Sequence, residues 1–165
     1  MSIEHVVKIA DLKVAPEPAI ITTHGLGSCL AIVLYDPQVK AGGLAHIMLP
    51  SPELTKDQNH PAKFPATAIP IMLKEMDALG CQRRRIVAKL VGGANMFGSL
   101  LKFRKETNSG NIGLRNALQT KEELKRLGIP IIAEDTGGDY GRSVEFVVST
   151  GTVLVHSFKA GLREL

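Results

Sequence analysis

Ser28-Cys29-Leu30-Ala31-Ile32-Val33-Leu34, then the turn residues Asp36-Pro37-Gln38-Val39-Lys40, then Gly42-Gly43-Leu44-Ala45-His46-Ile47-Met48, is the stretch on which the fold turns. Residues 28–34 form a nearly unbroken apolar run of strand length, the pattern of a strand buried on both faces. The turn residues between the two runs allow them to pair as a hairpin. Such a hairpin sets Cys29, at the start of its first strand, close to His46, at the end of its second. The approach to the thiol, Thr23-His24-Gly25-Leu26-Gly27, is glycine-rich, which offers partial exposure and nearby backbone N–H donors. A cysteine and a histidine able to meet in space are the minimum for thiol catalysis. A plainer reading stands beside this one, since free cysteine is among the most buried residue types and often serves as a small hydrophobe.

Outward from the hairpin, short strands are expected at 5–9 and 19–23, separated by the break Pro16-Glu17-Pro18. The proline-rich stretch from Pro50 to Pro61 reads as a loop that could border the site mouth. Ile69, Met72, Leu73, Met76 and Leu79 repeat with helical spacing, so a helix is expected over 66–79, with Pro70 implying a later start or a kink. A strand at 85–91 runs into Gly92-Gly93. A second helix is expected over 112–127, capped by Asn111, stopped by Gly128, and burying Leu114, Ala117, Leu118, Leu124 and Leu127. Strands at 129–133, 143–148 and 152–158 follow, the last two joined as a hairpin around Thr150-Gly151. About eight strands and two long helices make an α+β domain, and the length of 165 residues fits one domain spanning 1–165.

Composition narrows the function classes. Hydrophobic residues at 44% and charged residues at 22% are ordinary for a globular protein. No segment reaches the roughly 18 apolar residues that span a membrane, and the start lacks the apolar core of a signal peptide, so no membrane insertion and a cytoplasmic location are expected. Two cysteines in that setting are expected to be free thiols. The net charge of +4 is modest and is concentrated in Arg83-Arg84-Arg85 and Lys102-Phe103-Arg104-Lys105. Those runs read as solvated faces or as patches that steer an acidic partner. With no Trp, two Tyr and five Phe, the chain is poorly equipped to bind nucleic acid.

Other motifs are weaker. Gly92-Gly93 lacks the remainder of a phosphate loop and reads as a turn needing positive φ. Glu134-Asp135 has no clustered His or Cys at ligand spacing, which favours a turn or hydrogen-bonding role, and no metal or cofactor is expected. His5, His24, His60 and His156 are scattered, and Cys81, at a helix end without a glycine-rich approach, reads as structural.

Taken together, Thr23-His24-Gly25-Leu26-Gly27-Ser28-Cys29, Ala45-His46-Ile47-Met48-Leu49-Pro50, Val91-Gly92-Gly93-Ala94-Asn95-Met96-Phe97, Asn111-Ile112-Gly113-Leu114-Arg115-Asn116, Glu134-Asp135-Thr136-Gly137-Gly138 and Arg142-Ser143-Val144 resemble the chemoreceptor glutamine deamidases of the CheD family. The phrases stand in the family's order over about residues 20–150. The resemblance implies a three-layer α+β arrangement of two packed mixed β-sheets with flanking helices. It implies Cys29 as nucleophile, His46 as the histidine and Thr23 as the third catalytic member, acting on the cytoplasmic domains of chemotaxis receptors. It also implies a second role, as partner of a CheC-type phosphatase of the phosphorylated response regulator. Another thiol hydrolase, a transglutaminase or a peptidase, is the third reading. Two departures from the family pattern are His24, where an apolar residue is common, and a longer, more basic stretch over 98–109.

The chemistry follows from the residue types. A cysteine is mostly protonated at neutral pH, so an ion pair with His46 is expected to lower the pKa of Cys29. His46 would then protonate the departing ammonia and activate the water that cleaves the thioester. Thr23 carries no charge, so its expected part is to hold one ring nitrogen and aim the other at sulfur. Backbone N–H groups near Gly27, Ser28 and Cys29 are the candidate oxyanion donors.

Overall fold

The computed structural model describes residues 1–96 and 111–165. The basic run Lys102-Phe103-Arg104-Lys105, the stretch 98–109 and Phe97 lie outside the described residues.

Among the described residues, ten strands and two α-helices are arranged as two five-stranded sheets with both helices against one of them. The strands are β1 (Ile3–Val6), β2 (Asp11–Pro16), β3 (Ala19–Leu26), β4 (Leu30–Asp36), β5 (Ala41–Ile47), β6 (Val87–Gly92), β7 (Ile131–Thr136), β8 (Arg142–Val147), β9 (Thr152–Ser157) and β10 (Gly161–Glu164). The helices are α1 (Pro65–Ala78) and α2 (Ile112–Arg126). One sheet has the order β1-β3-β8-β9-β10 and the other β2-β5-β4-β6-β7. Both are mixed, because β1 runs parallel to β3 and β6 parallel to β7 while the remaining pairs are antiparallel. The layers are helices, then the β4 sheet, then the β3 sheet, as the α+β expectation has it.

The apolar run over 28–34 makes β4 the centre of this arrangement. Every residue of β4 is buried. Its alternation splits the core in two: Leu30, Ile32 and Leu34 face the helices, while Ala31, Val33 and Tyr35 face the other sheet. Tyr35 meets Phe146 of that sheet edge to face, at 5.7 Å between centroids. The hairpin forms as read, with Ala31 opposite His46 and Leu30 opposite Ile47. Gly42 and Gly43 permit close packing there. A Cβ on Gly42 would run into the Leu34 carbonyl and the Phe146 ring, and one on Gly43 would lie 2.7 Å from Val14.

Several elements differ from expectation. The first strand is Ile3–Val6, and β2 occupies part of what reads as connection. β2 is an edge strand whose exposed Asp11 and Lys13 alternate with the partly buried Leu12 and Val14, so it lacks a long apolar run. β10 is exposed throughout. α1 begins at Pro65 and continues through Pro70, which stands on its exposed face. In α2 the cap and stop hold: Asn111 accepts from the Leu114 N–H at 3.0 Å, and Gly128 has φ +72°. Its buried stripe keeps Ala117 and Leu124 but is otherwise rotated. Leu114 and Leu118 are exposed, while Gly113, Asn116, Ala117, Thr120 and Leu124 face the sheet.

The arginine run is only partly a solvated face. Arg85 turns inward to a bidentate contact with the buried Asp36 carboxylate, its Nε 3.0 Å from Oδ1 and its Nη2 3.0 Å from Oδ2. Asp36 also accepts from the Gln38 and Gln82 N–H groups, so this carboxylate fixes the β4–β5 turn and the entry to β6. The side-chain hydrogen bond from Arg85 and the two backbone donors hold its carboxyl below the usual range despite the opposing effect of burial.

Candidate active site

Cys29 immediately precedes β4, His46 lies in β5, and Thr23 lies in β3 of the opposing sheet. Thr23 shares the inward face of β3 with Ile21, and His46 shares that of β5 with Leu44, both core residues between the sheets. Cys29 belongs to the same inter-sheet cluster. Diagonal neighbours on adjacent antiparallel strands sit about 7–8 Å apart at Cα, within reach of a long side chain. Extending the β4–β5 register one residue past the Leu30–Ile47 pair puts Cys29 and His46 in that relation.

The two sheets are joined at the site by a hydrogen-bonded chain. His46 Nδ1 lies 2.7 Å from Thr23 Oγ1, which lies 2.7 Å from the Val7 carbonyl oxygen. A carbonyl only accepts, and a threonine hydroxyl has a single proton. Thr23 therefore donates to Val7 and accepts from His46, which places the proton of the neutral imidazole on Nδ1. Nε2 is left with its lone pair, and it has no partner among the described residues. Thr23 thus fixes the tautomer as well as the ring orientation. Cys29 retains 8% exposure, His46 2% and Thr23 none, so the thiol is the outermost of the three.

Burial sets the protonation states. It pushes the Cys29 thiol above its ordinary range and brings the His46 imidazole down to about 4. Burial thus works against both charged forms, and so against the expected ion pair that would lower the thiol's pKa. The physical reason is that both groups lie against the inter-sheet core, where each charged form loses hydration. His24, the departure from the family pattern, is exposed beside the buried Thr23, whereas His46 is the imidazole engaged with Thr23.

The loop before the thiol is held by its carbonyls. Gly27 O accepts from the Ala94 N–H at 2.9 Å, Ser28 O from Asn116 Nδ2 at 2.9 Å, and Cys29 O from the Gly93 N–H at 2.9 Å. Gly92 and Gly93 take φ +115° and +64°, as a turn needing positive φ requires. The Gly27 N–H is occupied by Gly25 O at 3.1 Å, which removes it from the oxyanion donors. The N–H groups of Ser28 and Cys29 have no backbone acceptor among the described residues, so they are the two candidates that remain.

Asn116, unremarked by side-chain chemistry at the level of sequence, is the further residue that the site brings in. Its signal is a polar, small-residue stripe, Gly113-Asn116-Thr120, at helical spacing. Glu134 and Asp135 make hydrogen bonds, as expected, but away from this cluster. Asp135 pairs with Arg142 and Arg163, and Glu134 with Lys121 and Thr136. No group of three or more His, Cys, Asp or Glu among the described residues is placed to hold a metal ion. Both cysteines are free thiols.

Residues 48–157 match the family model described as CheD chemotactic sensory transduction. The chain is 48% identical over 157 residues to the "Probable chemoreceptor glutamine deamidase CheD" of Caldanaerobacter subterraneus subsp. tengcongensis, covering 95% of this chain and 94% of that protein. The chain belongs to the CheD family. It is also 45% identical over 160 residues to the "Probable chemoreceptor glutamine deamidase CheD 2" of Geobacter metallireducens, with 96% of each chain covered. Among solved structures, Neisseria meningitidis protein NMB0706 matches 81% of this chain and 62% of its own, at a TM-score of 0.44 and 13% identity. No helix among the described residues is long and apolar enough to cross a membrane.

Proposed function

We propose that this CheD protein deamidates glutamine side chains of chemotaxis receptors, with Cys29 as nucleophile, His46 as proton carrier and Thr23 as the residue that sets the His46 tautomer. The observation that carries this reading is the relay from His46 Nδ1 to Thr23 to the Val7 carbonyl, because it leaves the Nε2 lone pair unpaired beside the thiol strand.

The steps start from a neutral thiol and a neutral imidazole. As the Cys29 sulfur bonds to the glutamine carbonyl carbon, its proton passes to His46 Nε2. The developing oxyanion is met by the N–H groups of Ser28 and Cys29. Nε2 returns the proton to the side-chain nitrogen, the C–N bond breaks, and ammonia leaves a thioester on Cys29. Water then attacks the thioester, giving its proton to Nε2, and that proton goes to sulfur as the glutamate departs. Positioned proton transfer of this kind is worth about 10²- to 10⁴-fold in rate. The imidazolium exists only between proton acceptance and return, so an inter-sheet site that disfavours it at rest is compatible with turnover.

The test is incubation with receptor cytoplasmic fragments followed by peptide mass spectrometry. New glutamates at discrete glutamine positions are expected. Chain cleavage would convert the reading to a peptidase, amine incorporation to a transglutaminase, and unmodified but bound fragments to a binding module. The resemblance also carries a regulatory role, in which a CheC-type phosphatase competes with the receptor for this face; the same assay with added phosphatase reads it as inhibition.

A further inference from the structure

We propose that Asn116 is a positioning residue that holds the nucleophile loop and the histidine strand in register, an inference that rests on the deamidase reading of Cys29 and His46. Asn116 is fully buried on the sheet-facing side of α2. Its Nδ2 donates to two carbonyls, Ser28 O at 2.9 Å and Met48 O at 3.1 Å. Ser28 immediately precedes Cys29, and Met48 follows His46 by two residues, just beyond the end of β5. One amide thus bridges the open end of the β4–β5 hairpin, at the level where thiol and imidazole leave the backbone.

That end of the hairpin needs such a bridge. The last strand pair there is Leu30 with Ile47, so Cys29 and Met48 lie outside the paired ladder. On its other side the loop is tied to the Gly92–Ala94 turn, whose N–H groups hold Gly27 O and Cys29 O. Asn116 is the tie that also reaches the His46 strand. Helix α2 can deliver it because Gly113, one turn earlier, packs directly on Gly93 and Ala94. A Cβ at Gly113 would lie 2.6 Å from the Gly93 carbonyl carbon, so any larger residue would lift the helix from the sheet.

The residue type is informative too. Both partners are carbonyls, so both bonds require donors from one planar group, and a side-chain amide supplies two in fixed geometry. The arrangement leaves Asn116 Oδ1 buried without a partner among the described residues. Leaving a buried acceptor unpaired is unfavourable, and an apolar residue of similar shape would avoid it. The amide is therefore placed where positioning, more than packing, accounts for it.

The experiment is a double-substitution cycle on the full chain with two readouts, receptor-fragment deamidation and the rate of Cys29 alkylation by iodoacetamide. Asn116→Leu keeps the approximate volume and removes both donors. Misplacing a reacting group by about 1 Å costs on the order of 10²-fold, so kcat should fall by about 10- to 100-fold with KM little changed. Cys29 labelling at neutral pH should slow, because the nucleophile loop and the histidine strand are no longer held in register. In the His46→Ala background, Asn116→Leu should slow labelling by less than about 2-fold, since residues acting as a unit are non-additive. Equal slowing in both backgrounds by a folded Asn116→Leu protein would overturn the positioning role. If Asn116→Leu fails to fold, Asn116→Asp serves instead: burial favours its protonated form, which keeps one donor, so intermediate labelling that depends on His46 is expected. Wild-type labelling that His46→Ala slows, with no receptor modification, would overturn the receptor substrate while leaving the cycle able to decide Asn116.

Discussion

Thr23→Val removes a hydroxyl from a fully buried position and changes the side chain's shape very little. Two hydrogen bonds of 2.7 Å disappear together, leaving the His46 Nδ1–H and the Val7 carbonyl without their partner. Buried neutral bonds contribute about 1 kcal/mol each, and orphaned groups cost about 1–3 kcal/mol, so a stability loss of about 2–3 kcal/mol is expected. For a chain of this size that corresponds to a melting temperature lower by about 4–12 °C. The kinetic effect arises separately. Without an acceptor at Nδ1, the imidazole is free to carry its proton on Nε2, where it blocks transfer from sulfur. Losing about 1.4 kcal/mol of tautomer preference is a tenfold loss of the active form, and a loosened ring adds to it. We expect kcat to fall by about 10- to 100-fold with KM nearly unchanged, measured by ammonia release from a receptor fragment below the melting temperature. Thr23→Ser keeps the hydroxyl and should recover most of the rate. A Thr23→Val protein with wild-type kcat, or a folded Thr23→Ser protein as impaired as Thr23→Val, would refute the tautomer argument.

Two further outcomes follow from the site's protonation and geometry. His46 titrates near 6.5 when solvated and near about 4 when buried, so the unfolded chain binds more protons between those values. This contribution to stability is complete above pH 6.5 and is lost as pH falls toward 4, at no more than about 1.4 kcal/mol per pH unit; chemical denaturation across that window should show a weaker pH dependence in His46→Ala. The acid limb of kcat/KM should likewise have its midpoint below 6.5, and a midpoint above it would favour the ion pair instead. His46→Ala should lose about 10²- to 10⁴-fold in turnover while His24→Ala stays close to wild type, and the reverse order would make the exposed imidazole the base.

The strongest features were legible because they are local. An apolar run of strand length and a turn rich in Asp and Pro dictated the β4–β5 hairpin, and the hairpin alone brings Cys29 toward His46. Asn111 and Gly128 marked the ends of α2 through backbone requirements that depend on neighbouring residues only. What escaped depends on partners distant in sequence. β2 carries alternating charges because it is an edge, and being an edge is a property of the sheet and not of the strand. In α2, Ala117 and Leu124 of the hydrophobic stripe are buried, but carbonyls at Ser28 and Met48, just outside β4 and β5, draw Asn116 inward, and Leu114 and Leu118 turn out. The sign of the thiol's pKa shift was likewise hidden. Residue types suggest an ion pair, and only the depth of the inter-sheet core reveals that both charged forms are disfavoured.

The most direct measurement of the central claim compares wild type, Cys29→Ala and Cys81→Ala on one receptor cytoplasmic fragment. Peptide mass spectrometry follows the gain of about one dalton at each glutamine converted through a cysteine thioester. Wild type and Cys81→Ala should convert the same glutamines at similar rates, since Cys81 lies in the helix-side core with its thiol pushed up to about 11 by burial. Cys29→Ala should be folded and should produce no glutamate above the spontaneous background. Glutamate formation by folded Cys29→Ala at the wild-type positions would contradict the assignment of Cys29 as the nucleophile.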